Sequence, residues 1–186
     1  MTIDELTQDA TRRMDKSVEA TQSEFATLRT GRASPALLDR VNVDYYGTKT
    51  PLKQLATIHA PQPRLLTIQA FDPNSLPQIE RAIQESDLGL TPSNDGRLIR
   101  LPIPELTEER RKELVRVARQ MAEDGRVAVR NVRRDVMHHL KELVDRGEVG
   151  SDEEHRAEER VQKLTDEHTH KIDELLKRKE AEIMEV

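Results

Sequence analysis

The sequence predicts an α+β protein: an elongated three-helix bundle, built from one N-terminal and two C-terminal helices, with a small inserted α/β domain. All nine prolines and four of the seven glycines lie between residues 31 and 104, and proline breaks helix interiors. Only 2% of the 186 residues are aromatic, too few for one large core. We therefore expect residues 1–30 and 105–186 to form the bundle and residues 31–104 to form the insert.

Each predicted bundle helix begins with a capping signal. The pattern Thr2–Glu5 is a capping box, and the helix that follows ends near Thr30–Gly31. Thr107 caps a second helix of roughly 39 residues, about 58 Å long at ~1.5 Å per residue. Ser151 and Glu154 form a capping box for the third helix. Because each helix carries one apolar stripe, a three-helix bundle buries all three most simply.

The apolar stripe of the second helix contains a glycine. Gly125 costs about 1 kcal/mol relative to alanine in a helix interior, and its place on the stripe predicts close packing against a neighbouring helix. The predicted stripe consists of Leu114, Val117, Met121, Gly125, Ala128, Val132, Val136, Leu140 and Leu143.

The proline-rich segment predicts a mixed domain of four strands and one helix. Alternating polarity indicates strands over residues 41–45, 55–60, 65–71 and 97–101. Residues 75–86 are typical of a short helix, because Pro77 falls in its first turn and Ile79, Ala82 and Ile83 share one face. The segment Thr91–Gly96 has the composition of an ordinary turn.

Two chain crossings connect the insert to the bundle. The first contains Gly31 and Pro35, and the second contains Pro102 and Pro104. Two short crossings rich in glycine and proline are typical of a boundary between domains. We expect these four residues to form a two-stranded hinge.

Composition excludes several kinds of chemistry. The chain has no cysteine, which rules out disulfides, thiol nucleophiles and Cys-ligated metals. The first ten residues lack the features of a signal peptide, and no apolar run reaches 18 residues, so we expect a soluble cytoplasmic protein. No nucleotide-binding or hydrolase motif is present. We therefore expect no catalytic residue and no cofactor.

Histidine spacing argues against a metal site. His168 and His170 point about 200° apart on a helix, and the adjacent His138 and His139 diverge by about 100°. His168 lies on the apolar stripe of the third helix, which indicates a residue at the edge of the core. We expect no bound metal.

The second helix carries a stripe of basic residues. Winding the helix at 100° per residue places seven of them within an arc of roughly 100°, opposite the apolar stripe. Residues 110–134 contain nine basic and three acidic residues, although the whole chain has a net charge of −5. Glu113 and Asp124, like the following Asp135, lie to one side, and only Glu123 interrupts the stripe. Its members are Lys112, Arg116, Arg119, Arg126, Arg130, Arg133 and Arg134.

Two interpretations of the basic stripe remain open. It can be a solvated face that acidic neighbours neutralise through i,i+4 pairs. It can also bind the phosphate backbone of RNA or DNA without reading its sequence. The predominance of arginine favours phosphate binding, because guanidinium groups bind phosphates in a bidentate manner. Tyr45 and Tyr46 are also candidates for stacking on bases, but as adjacent strand residues they face opposite ways, so at most one is free.

Seven sequence blocks, which span essentially the whole chain in order, resemble the bacterial ribosome recycling factor family. They are Arg29-Thr-Gly-Arg-Ala-Ser-Pro35, Val43-Asp-Tyr-Tyr-Gly47, Gln54-Leu-Ala-Thr-Ile58, Ser86-Asp-Leu-Gly-Leu90, Leu106-Thr-Glu-Glu-Arg-Arg111, Arg126-Val-Ala-Val-Arg-Asn-Val-Arg-Arg-Asp135 and Val161-Gln-Lys-Leu-Thr-Asp-Glu167. Thr91 departs from the family, which more often has asparagine before the proline.

The resemblance implies an L-shaped monomer that binds the post-termination 70S ribosome across the intersubunit bridges. With elongation factor G and GTP, it would split the subunits and free messenger RNA and deacylated tRNA. The resemblance also implies that Arg130 and Arg133 contact ribosomal RNA of the large subunit, with Arg29 and Arg32 as further basic contacts. From the basic stripe we add Arg119, Arg126 and Arg134 to these candidates.

Two other functions are compatible with the same residues. One is a cytoplasmic helical adaptor whose basic stripe binds an acidic protein. The other is a helical-bundle hydrolase that uses Asp152, Glu153 and His155 with a metal ion. Binding to ribosomal subunits that depends on salt would separate the translation factor from the adaptor, and a thermal shift that depends on metal would support the hydrolase.

Overall fold

A computed structural model describes residues 1–185, which divide into two compact units. The first unit comprises residues 1–25 and 115–181, and the second comprises residues 26–114 and 182–185. The helices are α1 (Ile3–Ala26), α2 (Leu76–Glu85), α3 (Glu108–Asp145) and α4 (Ser151–Met184). The strands are β1 (Asn42–Tyr45), β2 (Thr48–Pro51), β3 (Ala56–Gln62), β4 (Leu65–Ala70), β5 (Ser93–Asn94) and β6 (Leu98–Pro102).

Two of the three predicted helix caps are confirmed. The Thr2 hydroxyl accepts from the backbone N–H of Glu5 (3.2 Å), whose carboxylate accepts from the N–H of Thr2 (2.8 Å). The Thr107 hydroxyl accepts from the N–H of Arg110 (3.1 Å). The box predicted at Ser151 is wrong. Ser151 is already helical, because Glu154 donates its N–H to the carbonyl oxygen of Gly150 (3.0 Å) and makes that glycine the cap.

The first unit is a bundle of α1, α3 and α4 around a continuous apolar core. Met14, Val129, Leu140 and Ile172 are fully buried there. The stripe predicted for α3 is wrong at Val117, which is exposed. Ala118, Ala122 and Val129 are fully buried where Val117, Met121 and Ala128 were predicted, and the other six predicted positions are buried as expected.

Gly125 faces the bundle core as predicted. A Cβ at this position would lie 2.2 Å from the Thr21 Oγ1 of α1 and 3.2 Å from the Ile172 Cδ1 of α4. Real Cβ atoms do not approach other atoms as closely as 2.2 Å. Only glycine therefore allows the three helices to pack at this level without a shift.

His168 is a buried link between α4 and α1. Its Nδ1 lies 2.7 Å from the carbonyl oxygen of Leu164, and its Nε2 lies 2.6 Å from Asp15 Oδ1. The imidazole is almost completely buried, whereas the carboxylate of Asp15 is half exposed. These contacts confirm that His168 lies at the edge of the core.

The second unit is built on two antiparallel sheets. β1 and β2 form a hairpin, and the other four strands are ordered β3-β4-β6-β5. In the larger sheet Ile68 of β4 pairs with Ile58 of β3 and Ile99 of β6. Ile68 and Ile99 are fully buried, together with Ile79 and Ile83 of α2. The four predicted strands and the predicted helix are confirmed, with bounds that differ by one or two residues.

Two strands were not predicted. β2 is polar and largely exposed, so it lacks the alternation that reveals a half-buried strand. β5 has two residues and lies within the segment Thr91–Gly96, which was predicted to be only a turn. Among the described residues, no helix combines the length and apolarity needed to cross a membrane.

Candidate RNA-binding surface

Five arginines of α3 line one side of the first unit. We name Arg119, Arg126, Arg130, Arg133 and Arg134 the arginine surface. The prediction that these side chains lie opposite the apolar stripe is wrong for Arg126, Arg130 and Arg133, which are partly buried, whereas Arg119 and Arg134 are exposed.

Helix geometry explains why the arginine surface borders the core. The fully buried Val129 lies three residues from Arg126 and four from Arg133, and residues so spaced share a face of a helix. The side chain of Arg126 is only 19% exposed. Arginine tolerates this position because its aliphatic part can be buried while the guanidinium reaches a polar partner.

Glu123 is the acidic centre of the arginine surface. One of its carboxylate oxygens accepts from Arg126 Nη1 (2.9 Å), and the other accepts from Arg130 Nη1 (3.2 Å). These two hydrogen bonds, the one from Arg126 first, hold the pKa of Glu123 below its usual range. Glu123 therefore remains ionised and neutralises part of the surface.

Helix α4 supplies the other partners. Arg126 Nε donates to Asp173 Oδ1 (2.8 Å), and Arg119 Nε donates to Glu180 Oε1 (2.8 Å). Burial lowers the pKa of Arg126, but the hydrogen bonds to Asp173 and Glu123 outweigh it and raise the pKa. Arg126 is accordingly the most firmly held member of the surface.

Arg133 and Arg134 are the least neutralised members. Arg133 Nη1 donates to the amide oxygen of Gln162 (3.2 Å), a neutral partner. Arg134 is exposed and has no hydrogen-bond or ion-pair partner within residues 1–185. Both cations are available to an anion, because neither has to release a carboxylate first.

The acidic partners on α4 were not predicted. Asp173 and Glu180 are seven residues apart, a spacing that places them on one face of a helix. That spacing was the available sequence signal, but it does not reveal which helix the face packs against.

Arg29 and Arg32 lie in the second unit, where each has an intramolecular partner. Arg29 Nη2 donates to the carbonyl oxygen of Pro104 (2.8 Å), and Arg32 pairs with Glu185 (2.7 Å). Burial, together with the nearby charge of Arg110, lowers the pKa of Arg29. The Nε of Arg29 is buried and has no partner among the described residues. Arg29 therefore connects the two predicted hinge crossings.

All four predicted hinge residues, including Pro104, lie within the second unit. Gly31 has a φ of 76°, which is in the left-handed region that glycine adopts readily. Pro35 begins a short 3-10 turn, and Pro102 pairs with Leu65 at the end of β6.

The residues of the hydrolase hypothesis are not arranged around a common point. His155 Nε2 pairs with Glu159 Oε1 (3.3 Å) on the same exposed face of α4. Within residues 1–185, no group of three histidine or acidic side chains is placed to hold a metal ion.

A family model described as "Ribosome recycling factor" matches residues 21–184. The chain belongs to this family. It is a translation factor that acts in ribosome recycling. The ribosome-recycling factor of Rubrobacter xylanophilus is 62% identical over 178 residues, which cover 96% of each chain. That of Halalkalibacterium halodurans is 56% identical over 182 residues, which cover 98% of each chain.

Two solved structures of the family share the fold. A solution structure of the ribosome recycling factor has a TM-score of 0.79 and 45% identity, and the match covers 100% of this chain and 99% of that chain. The other is the T. thermophilus ribosome recycling factor, in models for this factor and the E. coli elongation factor G bound to the E. coli post-termination complex. It has a TM-score of 0.70 and 51% identity, with 100% of both chains covered. These similarities confirm the predicted α+β class and the family resemblance.

Proposed function

We propose that this protein binds the post-termination ribosome through the arginine surface and, together with elongation factor G, separates the subunits and frees messenger RNA and deacylated tRNA. The partners are those of the similar factor whose structure includes elongation factor G and the post-termination complex. The observation that carries the assignment to α3 is the excess of cations between residues 110 and 134, where nine basic residues face three acidic ones. The ligand of this surface is phosphate of large-subunit ribosomal RNA.

The ion pairs of the arginine surface are compatible with this role. Exposed pairs such as Arg130–Glu123 are worth little in water, typically 0–1 kcal/mol. A ribosomal RNA backbone presents many phosphates at once and accepts bidentate hydrogen bonds from guanidinium groups. Arg133 and Arg134, which have no carboxylate partner, contact phosphate first. Arg130 and Arg119 follow when their carboxylates are displaced.

The protein acts in the cytoplasm as a binding factor, without chemistry of its own. Elongation factor G hydrolyses GTP, and the protein transmits the resulting motion to the intersubunit bridges. The α/β insert serves as a movable arm, with Gly31, Pro35, Pro102 and Pro104 as its hinge. Support for the hinge comes from the sequence, because both chain crossings are short and rich in glycine and proline.

A salt titration with purified large subunits tests the RNA contact. Each phosphate contact contributes ~0.7 to 0.9 to the slope of log affinity against log salt. Arg130→Ala and Arg133→Ala should each give a shallower slope than the wild type. Arg12→Ala is the matched control, because it removes the same charge from an exposed site on α1. The control should reproduce the slope of the wild type.

The adaptor hypothesis is the second candidate. The ion pairs between the arginine surface and α4 favour it, because these arginines bind carboxylates. A competing acidic protein separates the two. RNA binding predicts that free ribosomal RNA displaces the protein from subunits more effectively than the acidic protein does. Two results would overturn the RNA assignment. One is a slope of log affinity against log salt that is the same for both arginine variants and the wild type, and the other is displacement by the acidic protein as effective as displacement by RNA.

A further inference from the structure

The second unit has a groove that the proposed function does not use. It has a volume of about 750 Å³ and lies between the β1–β2 hairpin and α2. Tyr45 and Tyr46 both line it, and they are the only tyrosines of the chain. In a protein with only four aromatic residues, two of them line a single groove.

Tyr46 occupies a backbone conformation that a bulky residue rarely adopts. Tyr45 pairs with Thr48 at the end of the hairpin, so Tyr46 and Gly47 form a two-residue loop. Their φ angles are 49° and 80°, the positive pair that a type I′ turn requires and that asparagine followed by glycine provides best. Within residues 1–185, Tyr46 is the only residue other than glycine with positive φ.

Folding of the hairpin does not explain this tyrosine. The side chain of Tyr46 is 79% exposed, so its ring contributes little to the core. Asparagine would fit the turn with less strain. Residues held in sparsely populated backbone conformations cluster at active sites and ligand-binding sites.

The two rings hold each other in place at the edge of the groove. Their centroids are 4.5 Å apart in an edge-to-face arrangement. The hydroxyls of Tyr45 and Tyr46 donate to the same carboxylate oxygen of Asp72, at 3.2 Å and 3.5 Å. The prediction that the two side chains face opposite ways is therefore wrong, because Tyr46 lies in the turn rather than in the strand. The exposed ring is oriented before any ligand arrives.

The rest of the lining is charged and polar. Its cations are Arg40, Lys49 and Arg81, and its carboxylates are those of Asp44 and Glu85. Arg81 Nε pairs with Glu85 Oε1 (3.5 Å) across an exposed turn of α2, and such a pair is worth little in water. Asn42 of β1 and Asn74, which lies two residues before α2, also line it, and their amides carry both hydrogen-bond donors and acceptors.

We propose that this groove binds an unpaired RNA nucleotide, with the base stacked on Tyr46 and the phosphate held by Lys49 and Arg81. Aromatic faces bordered by cations are how proteins bind unpaired nucleotides, and amide side chains recognise base edges. Val41 and Ala82 are the only aliphatic residues of the lining. The groove therefore lacks the apolar centre that a protein partner would bury.

Tyrosine fluorescence provides a direct test in the full-length protein. The chain has no tryptophan and only these two tyrosines, so its intrinsic emission comes from the groove alone. A short oligoadenylate and a short oligouridylate serve as probes. Stacking of a base should quench the emission, and the quenching should follow the binding curve measured with a labelled probe.

Three substitutions of Tyr46 separate stacking from folding. Tyr46→Ala should weaken binding roughly 5- to 150-fold, the range found when a stacking side chain is removed. Tyr46→Phe keeps a ring and should retain most of the affinity. Tyr46→Asn should weaken binding like the alanine variant while it raises the melting temperature, because asparagine favours the turn. Loss of binding in a more stable protein excludes misfolding.

Phe71→Ala is the matched control. Phe71 is 67% exposed in the same unit but does not line the groove, so this variant should bind like the wild type. Equal affinity of Tyr46→Ala and wild type, or binding without quenching, would overturn the proposal. So would unchanged oligonucleotide binding by Tyr46→Ala together with weaker binding to RNA-free ribosomal proteins, since the groove would then serve a protein.

The two proposals fail independently. Arg133→Ala and Arg134→Ala change a surface in the first unit, whereas the groove lies in the second. The arginine variants should lower affinity for ribosomal subunits and still show tyrosine quenching by the oligonucleotide. If they abolish the quenching, the oligonucleotide is bound by the arginine surface and the groove is not its site.

Discussion

Replacement of Gly125 by alanine should destabilise the bundle, although alanine is the better helix former. Alanine in place of glycine gains about 1 kcal/mol within a helix. Here the new Cβ would lie 2.2 Å from Thr21 Oγ1 and 3.2 Å from Ile172 Cδ1. Overpacking of this kind costs about 1–3 kcal/mol.

The hydroxyl of Thr21 adds to the cost. It is buried and donates to the carbonyl oxygen of Ser17 (2.9 Å). If Thr21 rotates away from the new methyl group, this hydrogen bond is lost, at about 1 kcal/mol. Set against the gain of about 1 kcal/mol, these costs lead us to expect that Gly125→Ala lowers the free energy of unfolding by about 1–3 kcal/mol.

Thermal and urea unfolding, followed by circular dichroism, measure the change. For a chain of this size, 1 kcal/mol corresponds to roughly 2–4 °C in melting temperature. A double-mutant cycle with Thr21→Ala isolates the contact, because Gly125→Ala should cost less when Oγ1 is absent. A higher melting temperature for Gly125→Ala alone, or strict additivity in the cycle, would refute the close contact.

Three further predictions concern the arginine surface, the insert and acid stability. Glu123→Gln should tighten ribosome binding and steepen its salt slope by ~0.7 to 0.9 for each arginine released to phosphate. Asp124→Asn is the control and should leave the slope unchanged, because the carboxylate of Asp124 accepts from the neutral Gln120 and from no arginine within residues 1–185. Replacing residues 33–104 by a short flexible linker should leave a bundle that binds ribosomes but does not recycle them with elongation factor G, as a polysome-breakdown assay would show. Asp95 should titrate at a pKa of about 2 by NMR, because the N–H groups of Leu98 and Arg97, and then Arg100, stabilise its carboxylate. Since the folded pKa lies below the unfolded value of about 3.9, this stabilisation is present above pH 4 and lost as the pH falls towards 2, and Asp95→Asn should abolish that part of the acid dependence.

Local signals predicted the parts of the fold that depend on near neighbours. The caps at Thr2 and Thr107 require only residues within three positions, and both hydrogen bonds are present. In the strands that contain Ile68 and Ile99, buried residues alternate with more exposed ones because only one face of the sheet is buried. The capping box predicted at Ser151 is wrong because this Ser-x-x-Glu pattern begins at the first residue of the helix. The cap is the preceding Gly150, whose carbonyl oxygen accepts from the N–H of Glu154.

Features that depend on packing between helices were not accessible from the sequence. Val117 and Ala118 are both apolar and adjacent on α3, and the helical period cannot decide which of the two the neighbouring helices cover. Near the arginines, the fully buried residue is Val129 rather than the predicted Ala128, and this difference places Arg126 and Arg133 at the edge of the core. Tyr46 was assigned to a strand, although it lies in the two-residue loop between β1 and β2. That loop could not be recognised because β2 is a polar strand without a sequence signal.

The carboxylates of Asp173, Glu180 and Glu123 compete with RNA for the arginine surface, and this competition opposes nonspecific RNA binding. They accept from three members of the arginine surface, so a polyanion that reaches Arg133 and Arg134 directly has to displace these carboxylates before it contacts the other three arginines. A flexible single strand offers few phosphates in the required places and gains little from the exchange. A rigid ribosomal surface offers several at once and gains cooperatively. If the arginine surface binds ribosomal RNA as proposed, selectivity for the assembled ribosome over the large pool of cellular RNA follows from charges that weaken binding.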